Sequence, residues 1–92
     1  VGVASYYGRE FEGRRTASGE RYDSHRLTAA HRSLPFGTLL RVINLDNGRS
    51  VVVRVNDRGP AREDRILDLS YRAAQRLGFS QAGLARVKIE RL

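Results

Sequence analysis

The side chains of this sequence best suited to proton chemistry are three carboxylates, Asp57, Glu20 and Asp68, and one histidine, His31. Asp57 lies in the stretch Val53-Arg54-Val55-Asn56-Asp57-Arg58-Gly59-Pro60, where β-formers stop abruptly at charge, glycine and proline. Strand side chains alternate between faces, so Asp57 shares a face with Val51, Val53 and Val55, while Arg54 and Asn56 point the other way. If the valines face a core, Asp57 sits at the rim of an apolar interior, the setting used to keep a carboxylic acid available for general acid catalysis. Arg58 works against this if its guanidinium lies close. Equally, Asp57 fits an acid that binds backbone amides in the turn before Gly59-Pro60. The residues alone leave both readings open.

Glu20 closes Thr16-Ala17-Ser18-Gly19-Glu20, where hydroxyls such as that of Ser18 beside an acid suit a polar pocket for sugar hydroxyls, or an ordinary solvated loop. His31 follows two alanines, a context for a core or supporting histidine as much as for a catalyst. Asp68, in Ile66-Leu67-Asp68-Leu69-Ser70, fits a second site carboxylate or a helper of the following helix start. Tyr6 and Tyr7 alternate faces, so at most one packs inward and the other is free to reach a groove. There is no Gly-x-Ser-x-Gly elbow, phosphate loop, His-Glu-x-x-His helix or cysteine. Carboxylate acid/base work, suited to glycosidic bonds, is what remains.

The elements that must hold these groups are mostly strands. Val3–Tyr7 reads as a strand ended by Gly8, and residues 9–24 as a long polar loop. Leu27–His31 fits a short strand. Thr38–Leu45 and Arg49–Asn56 flank Asp46-Asn47-Gly48, a strong hairpin signal. Ile66–Leu69 is a further strand, leading into a short helix with Ser70 as N-cap, Gly78 beyond its end, and Ala73, Ala74 and Leu77 on its apolar face. Leu84–Leu92 is a last strand. Gly37 with its following LLRVIN is faintly echoed by Gly83 with LARVKIE, which fits a barrel of two similar halves, closed so that no edge is left bare.

With 92 residues the chain suits a single domain over 1–92, which we expect to be cut from a longer protein. It has no cysteine and only two separated histidines, so neither disulfides nor a metal is expected, and no cofactor. No segment is apolar enough to span a membrane. The net charge of +7, nearly all from arginine, favours anionic partners. The arginines are dispersed from Arg9 to Arg91, a pattern of solvated surface; a nucleic-acid reading rests on net charge alone and is not adopted.

The blocks ASYYG (4–8), FEGRRTASGE (11–20), LTAAHRSLPFGTLLRV (27–42), DNGRSVVVRVNDRGP (46–60) and RILDLSYRAA (65–74) together resemble the rare lipoprotein A family across essentially the whole chain. The resemblance implies a six-stranded double-psi β-barrel with one short helix, of the barwin/expansin-like superfamily. It further implies an outer-membrane lipoprotein facing the periplasm, at the septum, acting as a monomer that touches the membrane only through a lipid anchor outside this chain. Its expected partner is peptidoglycan. The implied activity is lytic cleavage of the β-1,4 bond between N-acetylmuramic acid and N-acetylglucosamine in peptide-free strands, leaving 1,6-anhydro ends and serving cell separation. The family pattern places Asp57, Glu20 and His31 in the catalytic set. The wider superfamily's acidic pair is similar to Asp57 and Asp68, and its first-strand hydroxyl to Ser5, so Ser5, Tyr7, Ser18 and Asp68 are expected to line the substrate groove. A non-catalytic, expansin-like wall-binding module is the alternative.

Overall fold

In a computed structural model that describes all 92 residues, six strands close into a barrel. The strands are β1 (Gly2–Tyr6), β2 (Thr28–Ala30), β3 (Leu39–Asn44), β4 (Ser50–Asp57), β5 (Leu67–Leu69) and β6 (Ala85–Arg91). One helix, α1 (Tyr71–Leu77), follows β5. Around the barrel the order is β1-β5-β2-β4-β3-β6. β1 runs parallel to β5 and β2 parallel to β4, while every other neighbouring pair is antiparallel. This is the double-psi β-barrel that the resemblance implies. Exchanging β1 with β4, β2 with β5 and β3 with β6 leaves both the order and the pairing senses unchanged. The echo between Gly37 and Gly83 therefore has a structural counterpart, since β3 and β6 exchange under that operation.

Alternation explains the core. Val51, Val53 and Val55 of β4 are buried, as are Leu40 and Val42 of β3, Leu67 and Leu69 of β5, and Val87 of β6. Small residues on the facing strands, Ala4, Ala29 and Ala85, let the barrel close around these branched side chains. The helix covers one side with Ala73, Ala74 and Leu77. Its N-cap is as expected: Ser70 Oγ accepts from the Ala73 amide, and also from the Thr28 amide, which ties the helix start to β2. At the other end Gly78, at φ 79°, takes the left-handed conformation and donates back to Ala74 and Gln75.

Two local expectations change. β3 is shorter than the sequence suggests and β4 is displaced by one residue, so the connection covers residues 45–49. The reason is that Asn44 and Asn47 both donate their side-chain amides to the Leu77 carbonyl, at 2.8 and 2.9 Å, so the turn caps the helix instead of forming a tight two-residue reversal. The polar segment 9–24 is also more ordered than a simple loop. It holds a short 3-10 helix, Arg9–Phe11, and a bridge between Arg15 and Arg21, and it folds back across the end of β4.

Candidate active site

The strand register lines up the groups that the sequence singles out. Asp57 of β4 sits opposite Ala30 of β2, Ala30 opposite Asp68 of β5, and Asp68 opposite Ser5 of β1. One row thus crosses four adjacent strands and carries two carboxylates and a hydroxyl. Reaching this alignment needs a slip in the ladder: Ala29 pairs with Val55 but Ala30 with Asp57, leaving Asn56 as the extra residue of a bulge. Bulges re-aim side chains next to active sites. Asn56, placed by alternation on the face away from the valines, is nevertheless buried, because residues 9–24 cover it and the Ser18 amide donates to its carbonyl.

Asp57 is half-buried and fully engaged on one side. Its Oδ1 accepts from two backbone amides, Ala17 and Arg58, each at 2.8 Å. Its Oδ2 accepts only from the Tyr7 hydroxyl, at 2.6 Å. A carboxylate offers about four lone-pair sites. Oδ1 is therefore saturated, and Oδ2 keeps the one open position at which a proton can be exchanged with a ligand. The turn role and the proton role are compatible in this geometry. Arg58 leaves the carboxylate group alone: its guanidinium stacks over Phe36 at 4.2 Å and donates to the His31 and Leu34 carbonyls. The chain then turns at Gly59, whose φ of 130° lies where side chains are strained.

Tyr7 is locked in its protonated form. Burial, its hydrogen bond to Asp57 and the charges of Asp57 and Asp68 all push its pKa far up. It can only donate to Asp57. Asp68 in turn accepts from the Ser5 hydroxyl.

His31 lies beside this row, its amide donating to the Asp57 carbonyl at 3.2 Å. Its Nδ1 accepts from the Ser33 and Leu34 amides, which puts the ring proton on Nε2. Burial, with the positive charges of Arg58 and Arg32, holds its pKa below the usual histidine value. The native state then binds fewer protons than the unfolded chain just below pH about 6.5. His31 should contribute stability that is fully present above that pH and lost as pH falls through its lower folded pKa. Urea unfolding from pH 8 to pH 5 checks this: the wild type should lose more stability on acidification than His31→Asn, and parallel profiles would refute it.

Glu20 is placed differently. Its carboxylate is exposed and forked onto the Arg54 guanidinium, at 2.5 and 2.8 Å, on the face of β4 away from the valines. Those hydrogen bonds and the Arg54 charge keep its pKa below the ordinary glutamate value. Ser18 packs within the same loop, its hydroxyl 3.0 Å from that of Thr16. The structure therefore gathers Asp57, Asp68 and Ser5 into one row with Tyr7 and the His31 backbone beside it, whereas Glu20 reaches the site through its loop. Sequence reading missed Arg54 as the partner of Glu20, although alternation placed it on the outer face. It also missed the Ala17 amide, for which a backbone donor leaves no side-chain signal.

All four tyrosines converge beside the row. Tyr6, Tyr7, Tyr22 and Tyr71 line a pocket of ≈ 760 Å³ with Arg9 and His25. Folding also brings Glu12, Asp23 and His25 within 4.8 Å of one another. The spacing of these three residues in the chain does not signal the group, and Arg26 already pairs with Asp23 at 3.5 Å while Glu12 accepts from the Ser24 amide.

Residues 1–89 match the family described as lytic transglycolase. The endolytic peptidoglycan transglycosylase RlpA of Pseudomonas aeruginosa is 58% identical over 90 residues, which cover 98% of this chain and 26% of that protein. The protein of the same name from Neisseria meningitidis is 56% identical over 92 residues, covering 100% of this chain and 38% of that one. The chain thus spans about a quarter to two fifths of the length of these relatives. Among solved structures, the apo expansin of Clavibacter michiganensis superposes with a TM-score of 0.76 at 27% identity, over 99% of this chain and 48% of that one. The row of acids, the barrel that carries it and these likenesses agree: the chain belongs to the lytic transglycolase family, among the rare lipoprotein A proteins.

Proposed function

We propose that this domain is the catalytic part of a cell-envelope lytic transglycosylase acting on peptide-free peptidoglycan strands. The observation that carries the proposal is the asymmetric environment of Asp57, with Oδ1 saturated by backbone amides and Oδ2 open beside the Tyr7 hydroxyl. Asp57, protonated at Oδ2, donates to the glycosidic oxygen as the bond from C1 of N-acetylmuramic acid to that oxygen breaks. The C6 hydroxyl oxygen of the same sugar then bonds to C1, and its proton returns to Asp57. The products are a 1,6-anhydro muramoyl end and a free N-acetylglucosamine hydroxyl, with no water consumed and the acid regenerated. One carboxyl serves both steps because the nucleophile belongs to the substrate.

The geometry supports the following roles for the other residues. Glu20, kept ionised by Arg54, is unsuited to donate a proton. It acts by pinning the loop whose Ala17 amide holds Asp57. His31, with Nε2–H as a donor, orients substrate oxygen near Asp57. Asp68 and Ser5 continue the groove along the row, and Ser18 shapes the loop at its edge. The envelope setting extends to a lipid-anchored outer-membrane protein facing the periplasm at the septum, of which 1–92 is one monomeric domain.

The test is digestion of denuded glycan strands followed by mass analysis of the new ends. Anhydro ends are the expected product; reducing ends would replace this mechanism with hydrolysis. The barrel's likeness to an expansin supports a second reading, a module that holds wall glycan without cutting it. Retention of the domain on denuded glycan with no soluble product after long incubation would select that reading.

A further inference from the structure

We propose that Arg58 is a positioning residue that fixes the His31 ring as an Nε2–H donor; this deepens the role read for His31 above and rests on it. The turn between β2 and β3 is the physical link. Its Ser33 and Leu34 amides donate to His31 Nδ1 at 3.1 and 3.2 Å. The ring keeps this tautomer while both amides point at that nitrogen, because a proton on Nδ1 would meet two N–H groups. Arg58 holds the same turn from the other side. Its Nη1 donates to the Leu34 carbonyl at 2.8 Å, with longer contacts to the carbonyls of His31 at 3.3 Å and Asp57 at 3.5 Å. Leu34 is thus gripped twice, its carbonyl by Arg58 and its amide by the ring of His31.

Further contacts set Arg58 apart from the other arginines. Its guanidinium lies over the Phe36 ring at 4.2 Å, and Phe36 is 43% exposed. An aromatic side chain left so open adds little by burial; its face instead sets the plane in which the guanidinium reaches the turn. Arg58 takes part in none of the ion pairs of the fold, so no paired carboxylate offsets its charge. Arg32, the other cation acting on His31, donates to the Arg62 carbonyl and not to the turn. The hydrogen bonds and the charge of Arg58 act in one direction. The first keep Nδ1 an acceptor. The second, added to burial and to the charge of Arg32, disfavours protonating it. The amide of Arg58 also donates to Asp57 Oδ1 at 2.8 Å. One residue therefore holds the acid through its main chain and the histidine through its side chain.

The experiment is a long-range proton–nitrogen NMR titration of the histidine rings, with the His31 signals identified by their loss in His31→Asn. The wild type should show the Nε2–H tautomer alone. Arg58→Met keeps an apolar stem over Phe36 but has neither donors nor charge, so both tautomers should be populated and the His31 pKa should rise. Arg58→Lys keeps the charge and loses the planar fork; the tautomers should mix with a smaller rise in pKa. Phe36→Leu, a change at an exposed position, leaves Arg58 in place and should give partial mixing, which keeps the test open if Arg58→Met does not fold. On denuded strands Arg58→Met should lower kcat about ten- to a hundredfold, with KM changed less than about twofold. Added to His31→Asn it should cause no further loss. A single unchanged tautomer in the Arg58 and Phe36 variants, or losses that multiply when Arg58→Met and His31→Asn are combined, would overturn the proposal. Tautomer mixing in Arg58→Met, with no anhydro ends from the wild type, would sink the cleavage reading and leave the positioning of His31 standing.

Discussion

Asp57→Asn should lower turnover of denuded glycan strands roughly 10²–10⁴-fold, the range for loss of a positioned general acid. The substitution is nearly isosteric. Its amide oxygen can keep the two backbone bonds made to Oδ1, from Ala17 and Arg58, so the loop and the strand end stay in place. What disappears is a proton that can leave and return on the Tyr7 side. Binding of the glycan should be preserved, so the loss should appear in kcat with little change in KM. Glu20→Gln makes the contrast. It keeps one hydrogen-bonding oxygen for Arg54 but loses the charge, and should cost far less than Asp57→Asn. Asp68→Asn retains an acceptor for Ser5 and should also stay above the Asp57 variant in turnover. If Asp68→Asn alone abolishes activity, the acid has been assigned to the wrong carboxylate. Steady-state kinetics on a single batch of denuded strands decides among these outcomes.

Leu69→Ala should have the largest effect on stability, a loss of about 2–5 kcal/mol. Leu69 is fully buried on β5, between β1 and β2, where its register partners are Tyr6 and Ala29. Ala29 has no side chain long enough to move into the vacated space, so the cavity should persist. A domain of this size is typically stable by only about 5–15 kcal/mol. The melting temperature should therefore fall by about 10–30 °C, measured by circular dichroism. The same residue's carbonyl accepts the Tyr7 amide at 3.0 Å, so loosening β5 also loosens the tyrosine that holds Asp57. A shift of only a few degrees would mean that the neighbouring strands close the gap.

Legibility in the sequence followed the range of the interactions. Helix α1 was readable at both ends because its caps, Ser70 and Gly78, are local chemistry. The valines of β4 were readable because alternation needs only the strand itself. The slip at Asn56 was not, since it exists only in the pairing of β4 with β2, whose residues lie far apart in the chain. The same holds for the grip of Arg54 on Glu20, which joins positions 34 residues apart. Asp57 was legible as an acid at a strand end, but its two unlike oxygens were not. Those depend on an amide from residue 17 and a hydroxyl from residue 7. Four scattered tyrosines gave no sign of meeting, because only closure of the barrel brings β1, the 9–24 segment and α1 to one place.

The exchange symmetry of the strands bears on how such a site can arise. The turn at 45–49 divides the chain into three strands before it and three after, and around the barrel all six alternate between these halves. The halves are interlaced, not stacked, so neither can close by itself. The acid row crosses the seam three times, taking Asp57 and Asp68 from the later half, and Ala30 and Ser5 from the earlier one. A primitive version made of two identical three-stranded chains would have met across the same seam, with each chain supplying equivalent positions. Within one chain the two halves are free to differ, so that a carboxylate on one side faces a hydroxyl or a methyl on the other.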